Sequence, residues 1–308
     1  MKLTRRESLA AIGTSALLAT ISNRAFAADP DNPHIATNTY PWYTFSRREG
    51  YEQVLHTDEL LGEIASTAIT GYEPIINNVA EFDGLKERLK NHGLEMRSIY
   101  VNSSLHEQDD AEKSIAEVLA IGKAAAKLGT KIVVTNPSPI RWGEPEDKSD
   151  TQLRTQAEAL DRLGAELRSQ GQTLAYHNHD AEMRQGAREF HHMLTATNPE
   201  NVKFCLDSHW VFRGCGDSEV AVFDSLKRYL DRIVELHLRQ SVDGIWTEAF
   251  QLDGDIDYTA IFEFINSKIV HPHIVMEQCI EEKTPRTMSA VEAHREGRNR
   301  VLAGLQNT

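Results

Sequence analysis

Four segments in the second half of the chain place imidazoles and carboxylates at regular intervals. "YHNHD" carries His177 and His179, "CLDSHW" carries Asp207 and His209, "ELHLRQ" carries His237, and "VMEQ" carries Glu277. Counted from His177, the steps to Asp207, His237 and Glu277 are 30, 30 and 40 residues. Each group ends a short apolar run. Imidazoles in such runs could be satisfied core residues, acid–base catalysts or metal ligands. Carboxylates buried without a counter-charge are costly. Two or three imidazoles converging with two carboxylates therefore suit a divalent cation, with mixed N/O ligation fitting Mn²⁺, Co²⁺, Fe²⁺ or Zn²⁺.

Convergence requires elements that bring these segments together. From about Ile35 the sequence alternates apolar runs with longer amphipathic ones. Strands are expected at "IATNTYPW", "ITGYEPIIN", "LEMRSIYVN", "KIVVTNP", "TLAYHNH", "VKFCLDSHW", "RIVELHLRQ" and "HPHIVMEQ". Helical stretches such as "TDELLGEIASTA" and "TQLRTQAEALDRLGAELRSQG" separate them, several ending on glycine. Eight strands alternating with eight helices predict a parallel sheet closed into a single (β/α)₈ TIM barrel, an α/β fold. A doubly wound open sheet would call for a Gly-x-Gly-x-x-Gly loop after the first strand, and none is present. No linker composition divides residues 28–308, which are read as one domain.

Side chains alternate faces along a strand. In "VELHLR" the apolar Val234, Leu236 and Leu238 face the helices, so Glu235, His237 and Arg239 point to the barrel axis. The same parity turns His177, His179, Asp207 and Glu277 inward. All lie near the C-terminal ends of their strands, where active sites of this fold are built.

The chain begins "MKLTRRESLAAIGTSALLATISNRAFA". Arg5 and Arg6 precede a short apolar stretch that ends in Ala25-Phe26-Ala27. That pattern predicts a twin-arginine signal peptide over residues 1–27 and a periplasmic protein with no membrane attachment after cleavage. The stretch is shorter than the roughly 20 apolar residues of a spanning helix. The full chain has a net charge of −13. Residues 1–27 hold Lys2, Arg5, Arg6 and Arg24 against Glu7, so their removal leaves −16. A surface this acidic repels phosphate backbones and argues against a nucleic-acid partner. Cys205, Cys215 and Cys279 are too few for a disulfide scaffold and are expected to be free thiols.

Taken in order, "YHNHDAEM", "CLDSHWVFRGCGD", "ELHLRQ", "LDGDIDY" and "IVMEQ" resemble the sugar phosphate isomerase/epimerase family with a xylose-isomerase-like barrel, in a branch with a YHNH strand. The resemblance implies a divalent metal held by groups from four strands. Asp207, His237 and Glu277 match the last three of these. His177 stands where many relatives have glutamate, a strand similar to the Tyr-His-x-His strand of inositol-derivative dehydratases. Arg239-Gln240 replaces a common Lys-Asp. The resemblance further implies a small carbohydrate substrate and, often, a dimer or tetramer. His177, Asp207, His237 and Glu277 are then the expected metal ligands. His179 or Glu277 would remove a proton beside a carbonyl, and His209 or Glu73 would return one. Glu73, Trp210 and Arg239 would contact substrate. Trp42, Trp246 and Glu248 are further rim candidates, the last two in a long seventh loop that could close over the site.

These residues lead to a metal-dependent sugar isomerase or epimerase working through an enediolate. A metal-dependent lyase or dehydratase acting on a 3-keto-glycoside or inositol derivative is the alternative, and the His177 substitution weighs toward it. A non-catalytic periplasmic sugar-binding protein is a third reading, against which the retained Asp207, His237 and Glu277 argue. A phosphodiester nuclease on the same barrel is disfavoured by the acidic charge.

Overall fold

The computed structural model describes residues 33–307. The predicted signal peptide lies outside the described residues. Eight barrel strands run β1 Ile35–Asn38, β2 Gly71–Glu73, β3 Ser98–Tyr100, β4 Ile132–Thr135, β5 Thr173–His177, β6 Val202–Asp207, β7 Ile233–Leu238 and β8 His273–Met276. They are parallel and ordered β2-β1-β8-β7-β6-β5-β4-β3. Parallel bridges Gly71–Glu95 and Ile75–Tyr100 join β2 to β3 and close the barrel. The protein is thus a single TIM barrel with helices interleaved between its strands.

Inside and outside separate as strand parity requires. Leu174, Tyr176, Phe204, Leu206, Leu236, Leu238, Ile274 and Met276 pack in the main core between strands and helices. Tyr100, Ile132, Val134, Ala175 and Cys205 form a smaller cluster inside the barrel. Much of the remaining interior is polar. Glu73, Ser98, Glu235, His237 and His273 are all buried there, in a space that branched aliphatic side chains usually fill in this fold.

Two helices appear where the sequence reads as strand. The first strand was expected to run through "NTYPW", yet it stops at Asn38. The Asn38 side chain accepts from Tyr40 N at 2.8 Å and caps a helix over Thr39–Arg48, with Pro41 in its first turn. Likewise β6 stops at Asp207. Its Oδ1 accepts from Trp210 N at 2.9 Å and starts the short helix Ser208–Gly214. In both places a side-chain cap outweighs the β propensity of the aromatic residues that follow.

The long loop after β7 is fastened rather than loose. It forms a hairpin, Ser241–Val242 paired with Ile245–Trp246. Asp255 accepts from Ser241 Oγ at 2.6 Å, Gly244 N at 2.8 Å and Asp243 N at 3.0 Å. Gly254 lets this turn close, since a Cβ there would lie 2.5 Å from Ser241 O. Glu248 is tied to Arg48 and to the backbone N–H groups of Thr287 and Met288. No helix among the described residues is long and apolar enough to cross a membrane. Cys205, Cys215 and Cys279 are free thiols.

Candidate metal centre

His177, Asp207, His237 and Glu277 come from the ends of β5, β6, β7 and β8, and a donor atom of each lies within 4.8 Å of the others. All four are buried. His177 Nε2 is 3.8 Å from Asp207 Oδ2 and 3.9 Å from Glu277 Oε2. Both His177 ring nitrogens and Asp207 Oδ2 have no hydrogen-bond partner among the described residues. Buried polar atoms are rarely left so. Unpartnered nitrogen and oxygen donors converging with two more side chains fit a divalent cation.

Local bonds hold each ligand. Asn178, between the two histidines of YHNH, donates Nδ2 to Asp207 O at 3.0 Å and accepts from Asp207 N at 3.1 Å. This reciprocal pair sets β5 against β6. Asn136 Nδ2 donates to His177 O at 3.0 Å. Glu182 Oε2 accepts from His179 N at 2.7 Å, so the "DAEM" turn fixes the backbone of the second histidine.

His237 sits among carboxylates. Its Nδ1 is 3.0 Å from Glu277 Oε2, and its Nε2 is 3.1 Å from Glu73 Oε1 and 3.2 Å from Glu235 Oε1. Burial disfavours the charged ring, but Cys205, Glu73 and Glu277 around it outweigh that and hold it well above the usual histidine range. Burial acts upward on Glu277 too, yet His237 and Arg239 keep it below the usual carboxylate range. Asp207, with less compensation, is pushed by burial up to about 7. Burial and then Glu235 raise Glu73 to about 7.

Arg239 completes the electrostatics. Its Nη2 is 3.2 Å from Glu277 Oε2 and 3.9 Å from Asp207 Oδ2. The guanidinium packs against two indoles that meet edge-on, 4.8 Å from the Trp210 ring centre and 4.5 Å from that of Trp246. Such stacking holds a planar cation in place. Its Nη1 is buried without a partner among the described residues.

The remaining candidates are distributed around this centre. His179 is half-buried, with its ring 4.8 Å from that of His177 and 5.6 Å from Trp210. His209 is buried on the Ser208–Gly214 helix, with Nε2 2.9 Å from Ser241 Oγ. Glu73 is fully enclosed, its oxygens taken by Asn38 Nδ2 at 2.7 Å, Ser98 Oγ at 2.6 Å and His237. Trp42 packs in the core against His294, away from the rim.

Trp142 was not singled out from the sequence. It is 55% exposed, and its ring meets that of His179 edge-on at 5.0 Å. It comes from "PSPIRWGEPED", a segment without periodicity, so no sequence signal marked it. Strand parity turns Glu235 to the barrel axis but gives it no role, and Asn38 was not singled out. Asn38 meets Glu73 on the neighbouring strand, and Glu235 meets Cys205 and His273 on the strands beside it.

Comparison with known proteins agrees with this architecture. Residues 63–300 match the family model described as xylose isomerase-like TIM barrel. An inosose dehydratase of Clostridium perfringens is 24% identical over 250 residues, 71% of this chain and 81% of that protein. A xylose isomerase-like TIM barrel protein from Mycobacterium smegmatis, solved in complex with magnesium, shares the fold with a TM-score of 0.71. Its identity is 13%, with 92% of this chain and 99% of that one covered. The E. coli 3-keto-D-glucoside 4-epimerase, in its apo form, has a TM-score of 0.65 at 15% identity, with 89% and 99% covered.

Proposed function

Given that the chain belongs to the xylose isomerase-like TIM barrel family, we propose that it is a divalent-metal-dependent enzyme. It would act on a ketone-bearing sugar or polyol, with isomerisation or epimerisation as the outcome. One observation carries the proposal. His177 Nε2 and Asp207 Oδ2 are buried without partners and face Glu277 and His237 at the catalytic end of the barrel. These four residues would hold the cation. Bound there, it supplies positive charge where a carbonyl oxygen becomes negative.

The chain's own groups account for binding and proton movement. Arg239 Nη1 is an uncommitted donor for a substrate oxygen, kept in place by Trp210 and Trp246. His179, half-buried and held by Glu182 through its backbone, is placed to take the proton from carbon beside the carbonyl. Glu277 is the second base, held ionised by its cationic neighbours. His209 shares the helix of Trp210 and is the third acid–base candidate. Return of the proton to carbon gives the isomer or epimer.

Elimination is the second reading, and His177 favours it. A two-glutamate exchange of protons needs a carboxylate where His177 stands. The inosose dehydratase relative supports the same reading. Incubating metal-loaded protein with a 3-keto-glucoside and with an inosose in D₂O separates the outcomes. Deuterium incorporated beside the carbonyl of an isomeric product supports isomerisation or epimerisation, whereas a product lacking the elements of water supports elimination. An unchanged exchange rate in His179→Ala removes that residue from the chemistry.

Export by the twin-arginine pathway belongs to the proposal. Arg5, Arg6 and the Ala25-Phe26-Ala27 pattern support it. A periplasmic enzyme meets unphosphorylated sugars and glycosides more readily than sugar phosphates.

A further inference from the structure

We infer that Glu73 and Glu235 act together as a paired acceptor beneath His237, keeping the ring proton on Nε2 and committing Nδ1 to the cation. Both are positioning residues, and the inference rests on the metal reading above. His237 has two nitrogens in different surroundings. Nδ1 lies 3.0 Å from Glu277 Oε2. Nε2 has two carboxylate oxygens at 3.1 and 3.2 Å, from Glu73 and Glu235. A ring that ligates a cation must give up one proton, and then carries one N–H and one lone pair. A lone pair at Nε2 would confront both acceptor oxygens, whereas an N–H there bonds to Glu235 Oε1 and is attracted by the Glu73 carboxylate. Nδ1 then carries the lone pair, on the side of Glu277 Oε2.

The two carboxylates are themselves anchored. Asn38 Nδ2 and Ser98 Oγ donate to Glu73 at 2.7 and 2.6 Å. Glu235 takes the Cys205 thiol at 3.5 Å and His273 Nδ1 at 2.9 Å. Every member is buried. Neither glutamate therefore needs to touch substrate to matter. A carboxylate behind a ligating histidine fixes its tautomer and raises its basicity, and its loss typically costs 10–100-fold in metal affinity. Gln can accept the same hydrogen bond but lacks the charge, so Glu→Gln removes chiefly the electrostatic part.

Two measurements on the purified protein test this. Long-range ¹H–¹⁵N spectra of ¹⁵N-histidine-labelled wild type, loaded with Zn²⁺ and assigned with His237→Gln, should show a proton on His237 Nε2 and a zinc-shifted Nδ1. Chelator competition should show Zn²⁺ affinity falling about tenfold in Glu235→Gln or Glu73→Gln and about 100-fold in the double variant. The Co²⁺ visible bands should move with it. Zinc on Nε2, or a double variant with wild-type affinity and bands, overturns the inference and leaves the metal reading standing. Wild type that takes up no Zn²⁺ overturns both. If the double variant does not fold, the wild-type spectrum decides alone.

Discussion

His177 Nε2 stands 3.8 Å from Asp207 Oδ2, both atoms buried and neither with a hydrogen-bond partner among the described residues. A cation between them satisfies both at once. Purified protein should therefore bind one equivalent of Zn²⁺, Mn²⁺ or Co²⁺, and Asp207→Ala should lose it. With free ion at 100 times Kd, binding adds about 2.7 kcal/mol of stability. Chelation should lower Tm by several degrees in wild type and leave Asp207→Ala unmoved. A wild-type Tm indifferent to EDTA and to added metal counts against the site.

Arg239 should matter most when the metal is absent. Its guanidinium is then the cation nearest Glu277 Oε2, apart from the His237 ring. Removing one partner of a buried pair typically costs about 3–5 kcal/mol. Arg239→Met should lose stability on that scale in EDTA, and clearly less with Zn²⁺ bound, because the ion neutralises the same carboxylates. Urea unfolding with and without Zn²⁺ measures both. Equal losses in the two conditions would contradict this account.

Acid should weaken the protein through a residue remote from the site. His294 is buried and stacked on Trp42, with ring centres 4.2 Å apart, and its Nδ1 donates to Ala290 O at 2.7 Å. Burial drags it down from 6.5 to about 4. The unfolded chain therefore binds this proton at a higher pH than the folded one. Its contribution is fully present above pH about 6.5 and is lost as pH falls toward about 4, a total of roughly 3 kcal/mol. His294→Gln should flatten that stretch of the stability-versus-pH curve. An unchanged slope would rule His294 out as its source.

Trp142 stands at the mouth, more than half exposed and edge-on to His179. An aromatic face placed there can stack on a sugar ring. Trp142→Ala should raise KM for the keto-sugar about tenfold with kcat within a factor of about three, a loss near 1.4 kcal/mol. A fall in kcat at constant KM would instead make the indole part of the positioning of His179.

Export can be checked without any substrate. Arg5→Lys together with Arg6→Lys should leave the precursor in the cytoplasm, while the wild-type chain is recovered from the periplasm in shortened form. Processing that persists in cells lacking the twin-arginine machinery would refute this targeting.

Much of the barrel was legible because its two faces differ chemically. Leu236 and Leu238 alternate with Glu235 and His237, so parity alone assigned inside and outside, and the structure agrees. Chain spacing then brought His177, Asp207, His237 and Glu277 together. The helices after Asn38 and Asp207 were not legible, since "TYPW" and "SHW" read as the ends of strands until a capping side chain is seen in place. The surroundings of Glu73 were hidden for another reason. Asn38 meets it through the β1–β2 register, whereas Ser98 and Glu235 come from β3 and β7, and strand parity alone gives neither register nor closure.

Asp207 gives one oxygen to the helix that carries His209 and Trp210, and turns the other toward His177 Nε2. With the proposed ion held there, metal preference and the aromatic wall would not be separable traits. A substitution at position 207 that retunes the ion also shifts the wall that shapes the substrate. Variation in substrate choice along this lineage should accordingly collect at Trp142, which meets His179 and none of the four candidate ligands. Directed evolution toward a new sugar has its freest ground at the same place.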